Sequence, residues 1–422
     1  MLMDTGDNMS FKNQMLFMLF SFILGSFAGA VIWLFLKVVA VGINFWWEFI
    51  PSYFTFAYYP FVICIVGGVI IGVWRRIAGD YPENLEEVIS VVKKTKRYAP
   101  RKTHTLFISA ALPLMFGGSI GPEAGLSGVV ASLCTWVGDR FKYMNKKFKE
   151  LAEVGVPATL SILFNAPLFG IMSHLENEDG EDSFPGKTKI MIYFSSILGG
   201  IGVLFVLSSL LGGGLHIEKF EAASSGHFER IMFLPLALLG VAGGLAYHLF
   251  DNLARIIMKP LERLPIISSV IGGVALGFCA MFTPLLIFSG EEAITEIMSS
   301  FAAAMPFTLL MGGLVKLIIT SICINTGWRG GHIIPVIFSG ICMGKGMALL
   351  SGADPVFATI AVTAALCGSI MKKPLAVIVI LLIFFPVNNI VLLSAAAFIG
   401  CFISPKKKEA EKAENKELEL AK

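Results

Sequence analysis

Long apolar runs dominate this sequence and restrict the folds that it can adopt. The first run covers residues 15–47 with Lys37 as its one charge, and comparable runs cover 190–211, 231–254, 266–287 and 307–324. A helix needs about 20 apolar residues to cross a bilayer. Since 55% of all residues are hydrophobic and only 15% are charged, we predict an all-α polytopic membrane protein and exclude a soluble globular domain.

One carboxylate lies deep inside an apolar run. Glu123 follows Gly121–Pro122 within the segment 106–137, and an acid at mid-membrane costs about 3 kcal/mol on insertion, so it indicates function. A Gly-Pro pair ends one helix and suits the first turn of the next. Glu123 is therefore expected at a helix N-terminus inside the membrane. Such an end can hold either the Glu123 carboxylate or a free anion, since backbone N–H groups point out of it.

Basic loops predict how the chain is oriented in the membrane. Residues 93–102 and 140–149 are rich in lysine and arginine, which is typical of cytoplasmic loops. The segment between them must then enter the membrane and return, with Glu123 near its middle. We expect a multi-pass protein of the cell membrane with both termini in the cytoplasm.

Two halves of the chain follow one plan. In each half, a short helix that begins beside acids at Asp80 or Glu291 precedes a glycine-broken apolar segment, 117–125 or 327–335. Interrupted helices at matching positions indicate the binding site of an internally repeated transporter. We therefore predict a first membrane repeat (1–212), an extracellular linker (213–229), a second membrane repeat (230–404) and a charged cytoplasmic tail (405–422).

Charge and cysteine usage exclude other partners and cofactors. The net charge of +3 is too small to favour nucleic acid, and the seven cysteines lie in apolar stretches without CxxC spacing. Such cysteines are typical of helix packing, so no metal or other cofactor is predicted. The expected partners are a small anion, protons and the lipid bilayer.

Four motifs in this order resemble the CLC family of chloride channels and proton/chloride exchangers. Gly121–Pro122–Glu123–Ala124–Gly125 is similar to the family's GREGP motif, and Gly330–Gly331–His332–Ile333–Ile334–Pro335 is similar to GGIFAP. Phe164–Asn165–Ala166–Pro167–Leu168 matches FNAPL, and Ala78–Gly79–Asp80–Tyr81–Pro82 matches GSGIP loosely. The resemblance spans roughly residues 60–405 and predicts a member without regulatory C-terminal domains.

The resemblance implies a homodimer of subunits with inverted halves, many tilted, broken or non-spanning helices and one anion pathway each. Glu123 would be the gate, closing the path when ionised and swinging away when protonated or displaced. Partial charges at helix N-termini bind an anion weakly enough to release it. The donors would be backbone amides, and the candidates are those of Gly121, Glu123, Ala124, Gly331, His332 and Ile333.

Departures from the family motifs define weaker candidates. The hydroxyl ligand of GSGIP is replaced by Gly79, and Asp80 brings an acid close to the path. The position of the family's inner anion-gating tyrosine corresponds to the neighbourhood of Lys407, where this sequence has no tyrosine. The inner proton-relay glutamate falls on Asn177, and Glu176 beside it is the alternative proton donor.

We predict chloride transport gated by Glu123, with proton/chloride exchange preferred to passive conduction through a voltage- or pH-gated channel. The motif at Gly331 favours chloride over fluoride. His332 is expected to pack beside the pore, with a role as pH sensor as the alternative.

A different class, an intramembrane serine protease, would use Ser127 in Gly125–Leu126–Ser127–Gly128 with His174 or His248 as base. We prefer the transport prediction to the protease alternative and therefore do not expect this protein to be an enzyme.

Overall fold

Sixteen helices make up the part of the chain that the computed structural model describes, namely residues 11–53, 56–80, 85–95, 98, 103–140, 151–176, 187–213, 219–224, 226–299 and 305–403. The first eight are α1 (Phe11–Asn44), α2 (Tyr59–Ala78), α3 (Leu85–Thr95), α4 (Thr103–Met115), α5 (Glu123–Arg140), α6 (Leu151–Leu163), α7 (Phe169–Leu175) and α8 (Lys187–Leu211). The next eight are α9 (His227–Met258), α10 (Pro265–Phe282), α11 (Glu291–Ser299), α12 (Pro306–Asn325), α13 (Ile333–Ser351), α14 (Pro355–Met371), α15 (Pro374–Leu381) and α16 (Ile390–Ile403). Asn177, Lys407 and the predicted tail lie outside the described residues.

The lengths of several helices repeat between the two halves. Helices α1 and α9 have 34 and 32 residues, α2 and α10 have 20 and 18, and α3 and α11 have 11 and 9. Helices α7 and α15 have only 7 and 8 residues, too few to cross a bilayer. The predicted all-α membrane fold with many non-spanning helices is confirmed, whereas the bounds of the two repeats and the linker stay a prediction.

Seven helices in the described part are long and apolar enough to cross a membrane. The span that begins at residue 333 differs from the other six because 83% of it is buried inside the protein. Glycines and small side chains along α13 and α14 let these helices pack closely. The N-terminus of α13 is therefore shielded from lipid at the centre of the fold.

Prolines and local backbone conformation set several helix ends, and they interrupt two of the apolar stretches of the sequence. The apolar region 357–401 is divided at Lys372, whose φ of +57° ends α14, and at Pro374, which begins α15. The run 266–287 also ends early, because Thr283 is extended and Pro284 follows it. The first apolar run is one long helix, α1, which continues into a π-helical turn.

Candidate functional site

The two glycine-broken segments meet at the centre of the protein. Gly121 donates its N–H to Gly331 O at 2.7 Å, and Gly331 donates to Gly121 O at 2.8 Å. This antiparallel bridge sets the first turns of α5 and α13 side by side. The amides of Gly121 and Gly331, both predicted as anion donors, donate to each other instead.

Glu123 lies at the first residue of α5, as predicted, and reaches across to the second half. Its Oε1 accepts a hydrogen bond from Ile333 N at 2.7 Å, and its own amide and that of Ile334 also point at the carboxylate. The side chain is fully buried. Its Oε2 is buried without a hydrogen-bond partner in the described part of the protein.

Glycine is required on both sides of this carboxylate. A Cβ added at Gly331 would lie 1.9 Å from Cδ of Glu123, and one added at Gly121 would lie 2.0 Å from its Oε2. Real Cβ atoms do not approach other atoms so closely. The carboxylate therefore fills a space that exists only because two residues lack side chains.

A cavity of about 420 Å³ connects Glu123 to one face of the protein. It is lined by the last turns of α2 and α9, so it opens where those helices end. We call this cavity the vestibule. Its acidic lining besides Glu123 consists of Asp80, Glu87, Asp251 and Glu262. Its basic lining consists of Arg75, Arg255, Arg329 and Lys373.

One wall of the vestibule carries several protonatable side chains. His332 precedes α13 and lies against Tyr247 of α9, with ring centroids 6.1 Å apart. His248 and Asp251 line the same cavity one residue and one turn further along α9. Asp251 Oδ1 accepts hydrogen bonds from Asn325 Nδ2 at 2.8 Å and Ser321 Oγ at 3.3 Å.

Gly79 and Asp80 lie at the vestibule end of α2. Gly79 has a φ of +93°, which glycine adopts readily, and its N–H donates to Arg75 O at 2.9 Å. Asp80 accepts hydrogen bonds from the Arg75 guanidinium at 2.6 Å. The acid that sequence analysis expected near the path is therefore neutralised by a buried arginine, which the sequence motif did not reveal.

Glu176 follows α7 and is bound to the N-terminus of α15. Leu375 N donates to its Oε1 and Ala376 N to its Oε2, both at 2.8 Å. Although these amides and Lys373 favour the ionised form, burial is the larger effect and raises the pKa of Glu176. Glu176 does not line the vestibule, and Asn177 lies outside the described residues.

Lys316 is a buried residue near the site whose role the sequence alone did not define. Its Nζ donates to four successive backbone carbonyls, at distances from 3.3 Å for Leu285 O to 2.7 Å for Phe288 O. Phe288 N in turn donates to Gly117 O at 2.9 Å. One turn after Lys316, Thr320 Oγ1 pairs with Ser119 Oγ at 3.0 Å. Helix α12 thus holds the broken segment that precedes Glu123.

Ser127 and His248, two residues of the protease alternative, do not form a hydrogen bond with each other. Ser127 Oγ is buried in α5 without a hydrogen-bond partner in the described residues. His248 Nε2 lies 3.1 Å from Ser369 O in the second half, and the side chain of His174 is outside the described part of the chain. A serine nucleophile needs a base within hydrogen-bond reach, and His248 does not supply it.

Comparisons with known proteins agree with this fold. Residues 61–405 match the protein family described as voltage gated chloride channel. The YfeO proteins of Salmonella choleraesuis and Salmonella typhimurium, named for ion transport, are each 24% identical to this chain over 380 residues, or 85% of it and 86% of theirs.

Solved structures give the same result. A CLC-type fluoride/proton antiporter superimposes with a TM-score of 0.75 at 19% identity, covering 94% of this chain and 97% of its own. A slow cyanobacterial Cl⁻/H⁺ antiporter superimposes with a TM-score of 0.68 at 18% identity, covering 96% of this chain and 98% of its own. At these identities the two structures establish a shared fold.

Proposed function

Because the chain belongs to the voltage gated chloride channel family, which matches residues 61–405, we propose that it moves chloride across the cell membrane along a path closed by Glu123. The observation that carries the proposal is the contact between the Glu123 carboxylate and Ile333 N at 2.7 Å. A carboxylate at a helix N-terminus occupies the kind of place that suits a free anion. Glu123 and the anion therefore compete for one set of amides.

The path uses partial charges in place of a fixed cation at its narrowest point. The donors are the amides at the starts of α5 and α13, those of Glu123, Ala124, His332 and Ile333. A helix N-terminus carries about half a positive charge. Such a site attracts an anion and still lets it leave, which conduction requires.

Protonation or displacement of Glu123 opens the path. The ionised carboxylate is held by Ile333 N, and a hydrogen bond to a charged group contributes about 1.5–3 kcal/mol. Protonation removes the charge that this bond and the helix dipole favour. The buried Oε2, which has no partner among the described residues, is available to receive the proton, so one atom can link proton uptake to opening.

Exchange of chloride for protons is the preferred mode, and passive conduction is the second candidate. The observation that favours conduction is the double hydrogen bond that fixes Glu176 to α15, together with asparagine at position 177. The observation that favours exchange is the presence of protonatable side chains, His332 and Asp251 among them, in the vestibule that Glu123 also lines. We place the vestibule, which Leu85 and Glu87 of α3 line, on the cytoplasmic side of the membrane. Two subunits associate as a homodimer in this proposal.

Chloride efflux from proteoliposomes, with external pH recorded at the same time, tests the proposal. Glu123→Gln keeps the shape and removes the charge. Losing the charged hydrogen bond, worth about 1.5–3 kcal/mol, should raise chloride efflux about tenfold or more and abolish its pH dependence. Glu221→Gln, at an exposed position in the linker, is the matched control and should behave as wild type.

The outcomes separate the alternatives. Unchanged efflux and pH response in Glu123→Gln would remove the gating role. Chloride efflux in the wild type without proton movement would establish passive conduction. Fluoride efflux in the same vesicles, with chloride efflux absent, would reassign the anion and leave the fold and gate to be tested with fluoride.

A further inference from the structure

Protons that reach Glu123 from the vestibule face must pass through the vestibule. A proton that reaches Glu123 from the vestibule face needs a protonatable group along the way. Each carboxylate oxygen of Glu176 accepts a hydrogen bond from an amide of α15 at 2.8 Å, whereas Oδ2 of Asp251 has a longer contact, 3.5 Å to the Arg255 guanidinium. Glu176 also lies outside the lining of the vestibule.

The vestibule wall on α9 and at the start of α13 supplies such groups. His332 is followed directly by Ile333, the residue whose amide binds the Glu123 carboxylate. Both His332 and Glu123 line the vestibule. The His332 ring lies 6.1 Å from that of Tyr247, and Asp251 lies one turn further along α9 toward the vestibule mouth.

We infer that His332 carries protons between the vestibule and Glu123, and that Asp251 collects them at the mouth. The inference rests on the proposed function, in its exchange mode. Asp251 takes up a proton at the mouth and passes it through vestibule water to one ring nitrogen of the neutral imidazole, which returns Asp251 to its carboxylate form. The imidazolium then releases a proton to Oε2 of Glu123, which leaves the ring neutral and the carboxyl group uncharged. Histidine suits this role because its ordinary pKa lies close to neutrality.

The charged side chains that face this wall are of both signs and come from several elements. Besides Glu123, four acidic and four basic side chains of the described residues line the vestibule. Arg75 and Asp80 pair with each other at the end of α2, and Arg255 lies 3.5 Å from Asp251 on α9. The remaining lining charges come from several elements: Glu87, Glu262, Arg329 and Lys373. Apart from Glu123, the acidic and basic side chains of the lining therefore balance in number.

The test measures proton and chloride movement together in proteoliposomes for wild type, His332→Gln and Asp251→Asn. In His332→Gln the number of protons moved per chloride should fall at least about tenfold. The ratio is the readout because the His332 amide also belongs to the proposed anion site, so the chloride efflux itself can change with the variant. Asp251→Asn should slow proton movement by a smaller factor. His332→Glu restores a protonatable group and should restore proton movement. His227→Gln, exposed at the start of the same helix α9, is the matched control and should keep the wild-type ratio.

The outcomes distinguish this inference from the proposed function. No efflux of any small anion in the wild type would end the proposed function itself. Anion efflux without proton movement in the wild type would overturn the inference and leave anion transport standing. An unchanged proton-to-chloride ratio in His332→Gln would also overturn it. If His332→Gln gives no folded protein, an unchanged rate of proton movement in Asp251→Asn decides against it.

Discussion

Two helix N-termini in the second half of the chain are capped by glutamates from the first half, and the two caps differ. Glu123 binds the start of α13 through one oxygen and buries the other without a hydrogen-bond partner in the described residues. Glu176 binds the start of α15 through both oxygens. The first cap can exchange its partner for a proton or an anion at modest cost, whereas the second is saturated. In the function proposed above, the same residue type would thus act as a movable gate in one place and as a fixed brace in the other.

Burial separates the two caps further. Glu123 is fully buried and surrounded by glycines whose missing side chains make its space. Glu176 is half-buried, beside the basic residue Lys373. An acid that is buried and incompletely bonded is poised to change state, because desolvation opposes its charge. A half-exposed acid with two amides and a nearby cation has less reason to move.

The largest effect that sharpens this comparison is expected from Gly331→Ala. The new Cβ would lie 1.9 Å from Cδ of Glu123, so the carboxylate must leave the amide of Ile333 although the acid is still present. Losing that bond, worth about 1.5–3 kcal/mol, should raise chloride efflux by about tenfold and flatten its pH dependence. Efflux from proteoliposomes across a pH series measures both.

Gly312→Ala is the matched control, since a Cβ at Gly312 in α12 would meet no atom within 4 Å. It should leave efflux and pH response unchanged. A Gly331→Ala protein that folds and keeps the wild-type pH response would mean that the Glu123 carboxylate does not close the path from this position.

Local sequence chemistry was enough to predict where Glu123 lies but not what Glu176 binds. A Gly-Pro pair suits the start of a helix. Because Gly121–Pro122 lies inside an apolar run, the sequence alone predicts that Glu123 lies at a helix N-terminus within the membrane. The same logic predicted the broken segment that precedes Ile333. No local rule pairs Glu176 with Leu375, because that contact joins residues about 200 positions apart. The sequence-based interpretation therefore named Glu176 only as an alternative proton donor.

Long-range packing also decides what the amides can do. Gly121 and Gly331 have the residue type expected of anion donors, yet each donates to the other, which only the meeting of two halves could reveal. Lys316 likewise needs four carbonyls from a distant segment to be stable inside the protein. The break between α14 and α15 at Lys372–Lys373–Pro374 is different, because its proline is a local signal for a helix start.

A smaller effect is expected from Glu176→Gln. Glutamine can accept from only one of the two α15 amides, and its NH₂ group faces the other, so the protein should lose about 1 kcal/mol of stability. Thermal unfolding in detergent measures this loss, with Glu221→Gln as control. Transport should keep the wild-type ratio of protons to chloride. A lost ratio with unchanged unfolding temperature would instead make Glu176 a proton carrier and the two caps alike in function.

The smallest effect is the pH dependence of stability at Glu176. Burial raises its pKa above the ordinary value of 4.5, so between that value and the raised pKa the folded state binds more protons than the unfolded state. Stability must then fall as pH rises through this interval and level off above it. Glu176→Gln should lack this decline, and unfolding temperatures of the two proteins from about pH 4 to pH 7 measure it. A wild type that gains stability over this range, relative to Glu176→Gln, would mean that the two amides and Lys373 outweigh burial. The contact of Glu176 with α15 would then be strongest when Glu176 is charged, as we propose for the contact of Glu123 with α13 in the closed state.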